Sequence, residues 1–138
     1  MTKKIFLLGL LSGILAGTFS YGYARIYNAA LGTDFSKVVS VAAIFSACIF
    51  GNTLMATGYW LLNRWIPNKT EIIFNSILIT ISFLSILGPF STQLPLDIEA
   101  PELFPGLTVP MHFFPLLIWL TLRPVFISTT SIQDNFEL

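Results

Sequence analysis

The sequence predicts an all-α fold, a bundle of four transmembrane helices with both termini on the cytoplasmic side. Four long apolar stretches fill most of the 138 residues, and no Asp, Glu, Lys or Arg falls in the central part of any of them. The chain is 54% hydrophobic and 10% charged, against roughly 25% charged in an average soluble domain. Mean hydropathy is +0.78. A hydrocarbon layer takes about 20 apolar residues per helix, so four spans leave short connections. We therefore expect one domain over 1–127, with spans at about 5–25, 38–62, 71–88 and 108–123, and a frayed polar cytoplasmic tail over 128–138.

The first span follows Lys3-Lys4 and runs from about Ile5 to Ala24. A basic start before Ile5-Phe-Leu-Leu also opens a signal peptide, with Ala16-Gly17-Thr18 near a cleavage point. The apolar pattern continues through Phe19, Tyr21 and Tyr23 to Arg25, which favours an uncleaved helix with interfacial tyrosines. The second span closes on Tyr59, Trp60 and Trp65 beside Arg64, an aromatic girdle of the kind that sits at headgroup depth. The third begins near Glu71 and meets Gly88-Pro89, a pair expected to end it. The fourth opens near Thr108 and closes at Arg123-Pro124, with Pro110 expected at its start and Pro115 expected to kink it.

Orientation follows from the basic residues. An inner N-terminus puts Lys3, Lys4, Arg64, Lys69 and Arg123 inside, against Arg25 and Lys37 outside, the bias the positive-inside rule requires. The loop over about 90–107 is then external. It carries Asp97, Glu99 and Glu102 between Pro95, Pro101 and Pro105, and Leu94, Leu96 and Ile98 suit it to cap the bundle.

Small residues predict how the helices pack. Gly9, Gly13 and Gly17 recur every four residues, with Ser12, Ala16 and Ser20 in an adjacent row, so another helix can approach closely. Ala43, Ala47 and Gly51 repeat that spacing in the second span. Pairing of spans one and two is the simplest use, and a homodimer seam is its rival.

The polar candidates are few. His112 is the sole histidine and sits near the external mouth of the fourth helix, where a proton, ligand or structural hydrogen bond would each suit it. Asn52 and Asn75 place amides at or near hydrocarbon depth, where interhelical hydrogen bonding or lining of a path are the alternatives. Asp97, Glu99 and Glu102 are either solvated charges or serve cation capture or partner contact, and Glu99 or Glu102 is the acid-base partner an enzyme reading would give His112. No metal site and no cofactor is expected: one histidine cannot form a paired-histidine haem, and a zinc site would have to borrow loop glutamates. Cys48 is the only cysteine, so neither a disulfide nor a CxxC redox centre can form within the chain. Zero net charge argues against nucleic acid as a partner.

Leu31-Gly-Thr-Asp-Phe35, the small-residue-rich second span, Ser85-Ile-Leu-Gly-Pro-Phe90 and Met111-His112 together resemble a family of small, uncharacterised four-span bacterial membrane proteins. The resemblance covers nearly the whole chain and implies a four-helix fold in a bacterial inner membrane, with no catalytic residues to carry over. The chain departs from the pattern in being rich in Phe and Ile and in its longer acidic loop. Small multidrug exporters need a carboxylate in the first helix, and this one has none. Fluoride channels are echoed only by Phe50-Gly-Asn-Thr53.

The expected function is that of a non-enzymatic membrane subunit, either an accessory or scaffold protein or a small-molecule binder. Its partners would be the lipid bilayer and a homodimeric or other membrane-protein partner. The alternatives are a small transporter or channel with a path near His112 and Asn75, and an enzyme that pairs His112 with Glu99 or Glu102.

Overall fold

The computed structural model describes residues 2–95 and 98–127. Leu96, Asp97 and the tail over 128–138 lie outside the described residues. Helix α1 spans Thr2–Leu31, α2 Val41–Trp65, α3 Thr70–Ser85, α4 Leu87–Ser91 and α5 Phe104–Phe126; single 3-10 turns at Pro67–Lys69 and Pro101–Leu103 precede α3 and α5. No strand occurs among the described residues. Among the described residues, four segments are long and apolar enough to cross a membrane: Lys3–Leu31, Val41–Trp65, Pro67–Ser91 and Pro101–Phe126. They run alternately up and down, so the start of α1 and the end of α5 share one end of the bundle, called here the terminal end.

Helix ends fall where backbone chemistry sets them rather than where hydropathy changes. α1 continues to Leu31, beyond the expected limit near 25, and stops at Gly32, which adopts φ +65°. The Thr33 N–H reaches back to the Asn28 carbonyl at 3.1 Å, closing a Schellman turn that only a left-handed residue permits without strain. α2 starts at Val41 rather than 38 because the Ser40 side chain accepts the Ala43 N–H at 3.2 Å and caps the helix there.

The prolines correct two expectations. α3 ends at Ser85, and Pro89 sits inside the short α4. Pro89 has no N–H for the Ser85 carbonyl four residues back, while it fits the first turn of α4, where that donor is not used. Pro110 was expected at the start of the fourth helix, yet it lies within α5, which begins at Phe104 and also contains Pro115 and Pro124. Pro110 leaves the Gly106 carbonyl without its intrahelical donor. The Tyr23 hydroxyl of α1 supplies one instead, donating to that carbonyl at 2.9 Å, while Tyr27 donates to the Leu103 carbonyl at 2.8 Å.

The α1–α2 pair is the backbone of the bundle. A Cβ on Gly9 would come within 2.7 Å of Ala56 Cβ, one on Gly13 within 2.7 Å of Ile49 Cα, and one on Gly17 within 2.7 Å of Phe45 Cδ1. The glycine groove is therefore filled from within the chain. Its filler is not the expected row: Phe45, Ile49, Asn52 and Ala56 enter the groove, whereas Ala43 and Ala47 are exposed and a Cβ on Gly51 would meet nothing within 4 Å. A groove of glycines accommodates a ridge of larger side chains, so two small-residue faces need not meet.

Two apolar cores stack along the bundle. The core toward the terminal end gathers Ile5, Leu8, Ala56, Tyr59, Phe74, Leu78, Leu116 and Trp119; the other gathers Ala16, Ala24, Phe35, Ile44, Cys48, Phe104 and Leu107. Leu94 and Ile98 pack against the second core, as a capping loop would. Between the cores lies a buried polar contact in which Ser12 Oγ donates to Asn52 Oδ1 at 2.9 Å and Asn52 Nδ2 donates to the Cys48 carbonyl at 3.0 Å.

Candidate functional site: a lateral cavity between α2, α3 and α5

Helices α2 and α3 touch near the turn that joins them. There Tyr59 and Phe74 meet edge to face at 5.2 Å, and the Thr70 hydroxyl lies 3.5 Å from Asn63 Oδ1. Toward the opposite end they diverge. The gap is a cavity of about 420 Å³, large enough for a small ligand. Ala43, Ala47 and Gly51 form its α2 wall, the row left over once Phe45, Ile49 and Asn52 turn to α1. Across from them stand Ser82 and Ser85 of α3 with Thr108, Met111 and His112 of α5. Ala43, Ala47 and Ile81 are all exposed, so the cavity opens sideways.

No Asp, Glu, Lys or Arg is among the described residues that line it. Its polarity comes from hydroxyls, the Cys48 thiol and one imidazole. His112 Nδ1 lies 2.7 Å from the Thr108 carbonyl oxygen. A carbonyl can only accept, so Nδ1 carries a hydrogen, and of the two uncharged tautomers the contact selects the one with its lone pair on Nε2. The Thr108 hydroxyl donates to the Phe104 carbonyl at 2.9 Å, which leaves it committed to its own helix.

The other expected residues lie elsewhere. Asn75 is not beside His112: its Oδ1 accepts from Arg123 Nη1 at 3.3 Å. His112 and Arg123 are separated by about 16 Å along α5 at 1.5 Å per residue, so Asn75 and His112 do not share a site. Asn52 is fully buried and held between Ser12 and the Cys48 carbonyl. Glu99 and Glu102 are exposed in the connection before α5. Among the described residues no group of three or more His, Cys, Asp or Glu side chains could hold a metal ion.

The terminal end carries a second polar cluster. Arg123 Nη2 pairs with Glu71 Oε2, Tyr59 donates to Glu71 Oε1 at 2.6 Å, and the Arg123 guanidinium lies over the Tyr59 ring at 5.3 Å. Among the described residues, Trp119 Nε1 and Arg123 Nε are buried with no hydrogen-bond partner. The sequence offered one signal for this cluster, since Glu71 opens one span and Arg123 closes another on the same side. At the opposite end, a wide pocket of about 530 Å³ includes Arg25, Asn28 and Asp34 in its walls. Hydrogen bonds from Ser36 hold the exposed Asp34 carboxyl below the ordinary carboxylate range.

Comparison with protein-family models, with curated proteins and with solved structures finds no match.

Proposed function

We propose that the chain is a multi-pass integral membrane protein, both termini cytoplasmic, that binds a small lipophilic molecule entering its lateral cavity from the bilayer. The sideways-open cavity between α2, α3 and α5 is the observation that carries this reading. Lipid as the surrounding solvent is supported by the outward faces: Phe6, Leu7, Leu10, Ile14 and Phe19 of α1 and Ile77, Phe83 and Leu84 of α3 are all exposed. The inner-membrane location rests on the resemblance to small four-span bacterial proteins, and the orientation on the excess of Lys and Arg at the terminal end.

Binding is favoured over catalysis because His112 is tied to the Thr108 carbonyl while Glu99 and Glu102 stand in the exposed loop. Binding is favoured over transport because Asn75 is engaged by Arg123, well away from His112. A diazirine-bearing alkane tests the reading in lipid nanodiscs. Saturable photolabelling should map to the segments around Ala43–Met55, Ile81–Ser85 and Met111–Pro115, and Gly51→Phe should suppress it. Labelling spread evenly over all outward faces, unaffected by Gly51→Phe, would contradict it.

A further inference from the structure

We infer that the ligand is an uncharged lipophile carrying a hydroxyl group, held between Ser82 and His112; this rests on the cavity reading above. Ser82 is 6% exposed, and its hydroxyl makes no hydrogen bond among the described residues. Its neighbours behave differently. Thr70, Ser76, Thr80 and Ser85 of α3 and Thr108 and Thr121 of α5 all donate to a carbonyl three or four residues back in the chain. A serine hydroxyl in an apolar helix takes that bond by default. Ser82 leaves it unmade and faces the cavity.

His112 supplies the complementary half. With Nδ1–H donating to the Thr108 carbonyl, Nε2 is the acceptor of the uncharged tautomer, and it makes no hydrogen bond among the described residues. Both residues line the cavity, and Phe83 and Phe113, each the next residue along its helix, meet edge to face at 5.6 Å, so these stretches of α3 and α5 run side by side. A ligand hydroxyl meets both demands at once, accepting from Ser82 Oγ–H and donating to His112 Nε2. A ketone or ester carbonyl cannot donate and would leave Nε2 unserved. A carboxylate, phosphate or ammonium group would bring a charge into a wall that holds no opposite charge.

Competition against the diazirine alkane in nanodiscs tests this with 1-dodecanol, dodecane and dodecanoate, each referred to its concentration in the bilayer. Dodecanol should compete about tenfold better than dodecane, and dodecanoate no better than dodecane. Ser82→Ala and His112→Phe should each cut the dodecanol advantage about threefold and leave dodecane unchanged, so dodecane also reports that each variant is folded. Equal competition by dodecanol and dodecane in the native protein would overturn the hydroxyl assignment while leaving the cavity reading intact. An advantage that persists undiminished in both variants would overturn it as well. Failure of all three to displace a label that Gly51→Phe also leaves unchanged would overturn the cavity reading and this inference with it.

Discussion

Tyr23 Oη donates to the Gly106 carbonyl at 2.9 Å, and Gly106 is the residue whose carbonyl Pro110 cannot serve. A tyrosine of α1 thereby supplies the donor that Pro110 withholds from α5. The neighbouring Tyr27 packs close against Gly106, where a Cβ would collide with its hydroxyl.

Tyr23→Phe should therefore destabilise the protein by about 0.5–1.5 kcal/mol, the net worth of one intramolecular hydrogen bond. In a Pro110→Ala background the loss should shrink, since an alanine N–H can reach the Gly106 carbonyl. Thermal unfolding of the four proteins in mild detergent gives the coupling directly. Equal losses in both backgrounds would show that the tyrosine does not compensate for the proline.

Two glycines of the same helix should respond oppositely to alanine. Gly13→Ala drives a methyl to 2.7 Å from the Ile49 Cα, a backbone atom that cannot move aside, and should cost about 1–3 kcal/mol. A Cβ on Gly22 meets nothing within 4 Å, so Gly22→Ala should be neutral or stabilising by up to about 1 kcal/mol. Unfolding temperatures of the two variants separate packing against α2 from a general preference for small residues.

The Glu71–Arg123 pair is partly exposed, with side chains 43% and 13% accessible. Its worth should fall between the roughly 0.5 kcal/mol of an exposed pair and the 3 kcal/mol or more lost on breaking a buried one. Arg123→Leu should cost about 1–2 kcal/mol, and adding Glu71→Gln should cost less than the two single losses combined. Strict additivity in the unfolding data would deny the coupling.

Much of the fold could be read from sequence because charge-free stretches as long as a membrane-crossing helix mark the apolar helices. Helix ends could not be placed that way. Gly32, Ser40 and the Tyr23 hydroxyl set them through individual hydrogen bonds and one positive φ, which hydropathy does not register. The glycine groove of α1 was readable as a close-approach face, yet its partner was not. Spacing shows where a helix is small, and only the three-dimensional fit shows that Phe45 and Ile49 fill Gly17 and Gly13 while Ala43, Ala47 and Gly51 are released to line a cavity. His112 stood out as the lone histidine. Ser82 did not, because what distinguishes it from Ser76 or Ser85 is a hydrogen bond it fails to make.

The orientation is open to a labelling experiment. In a Cys48→Ala background, Glu99→Cys should react with a membrane-impermeant maleimide from outside intact cells, and Lys69→Cys only after the membrane is opened. The reverse pattern would invert the topology.

The central claim is tested most directly by native mass spectrometry of the protein released from mild detergent, alongside Gly51→Phe. A Cβ at Gly51 meets nothing within 4 Å, so the added ring can occupy the cavity without displacing a helix. The native protein is predicted to carry a small lipophilic adduct at activation energies that strip detergent, and the variant to appear bare while unfolding at the same temperature. A bare native protein, or the same adduct on both, would contradict a ligand in the cavity.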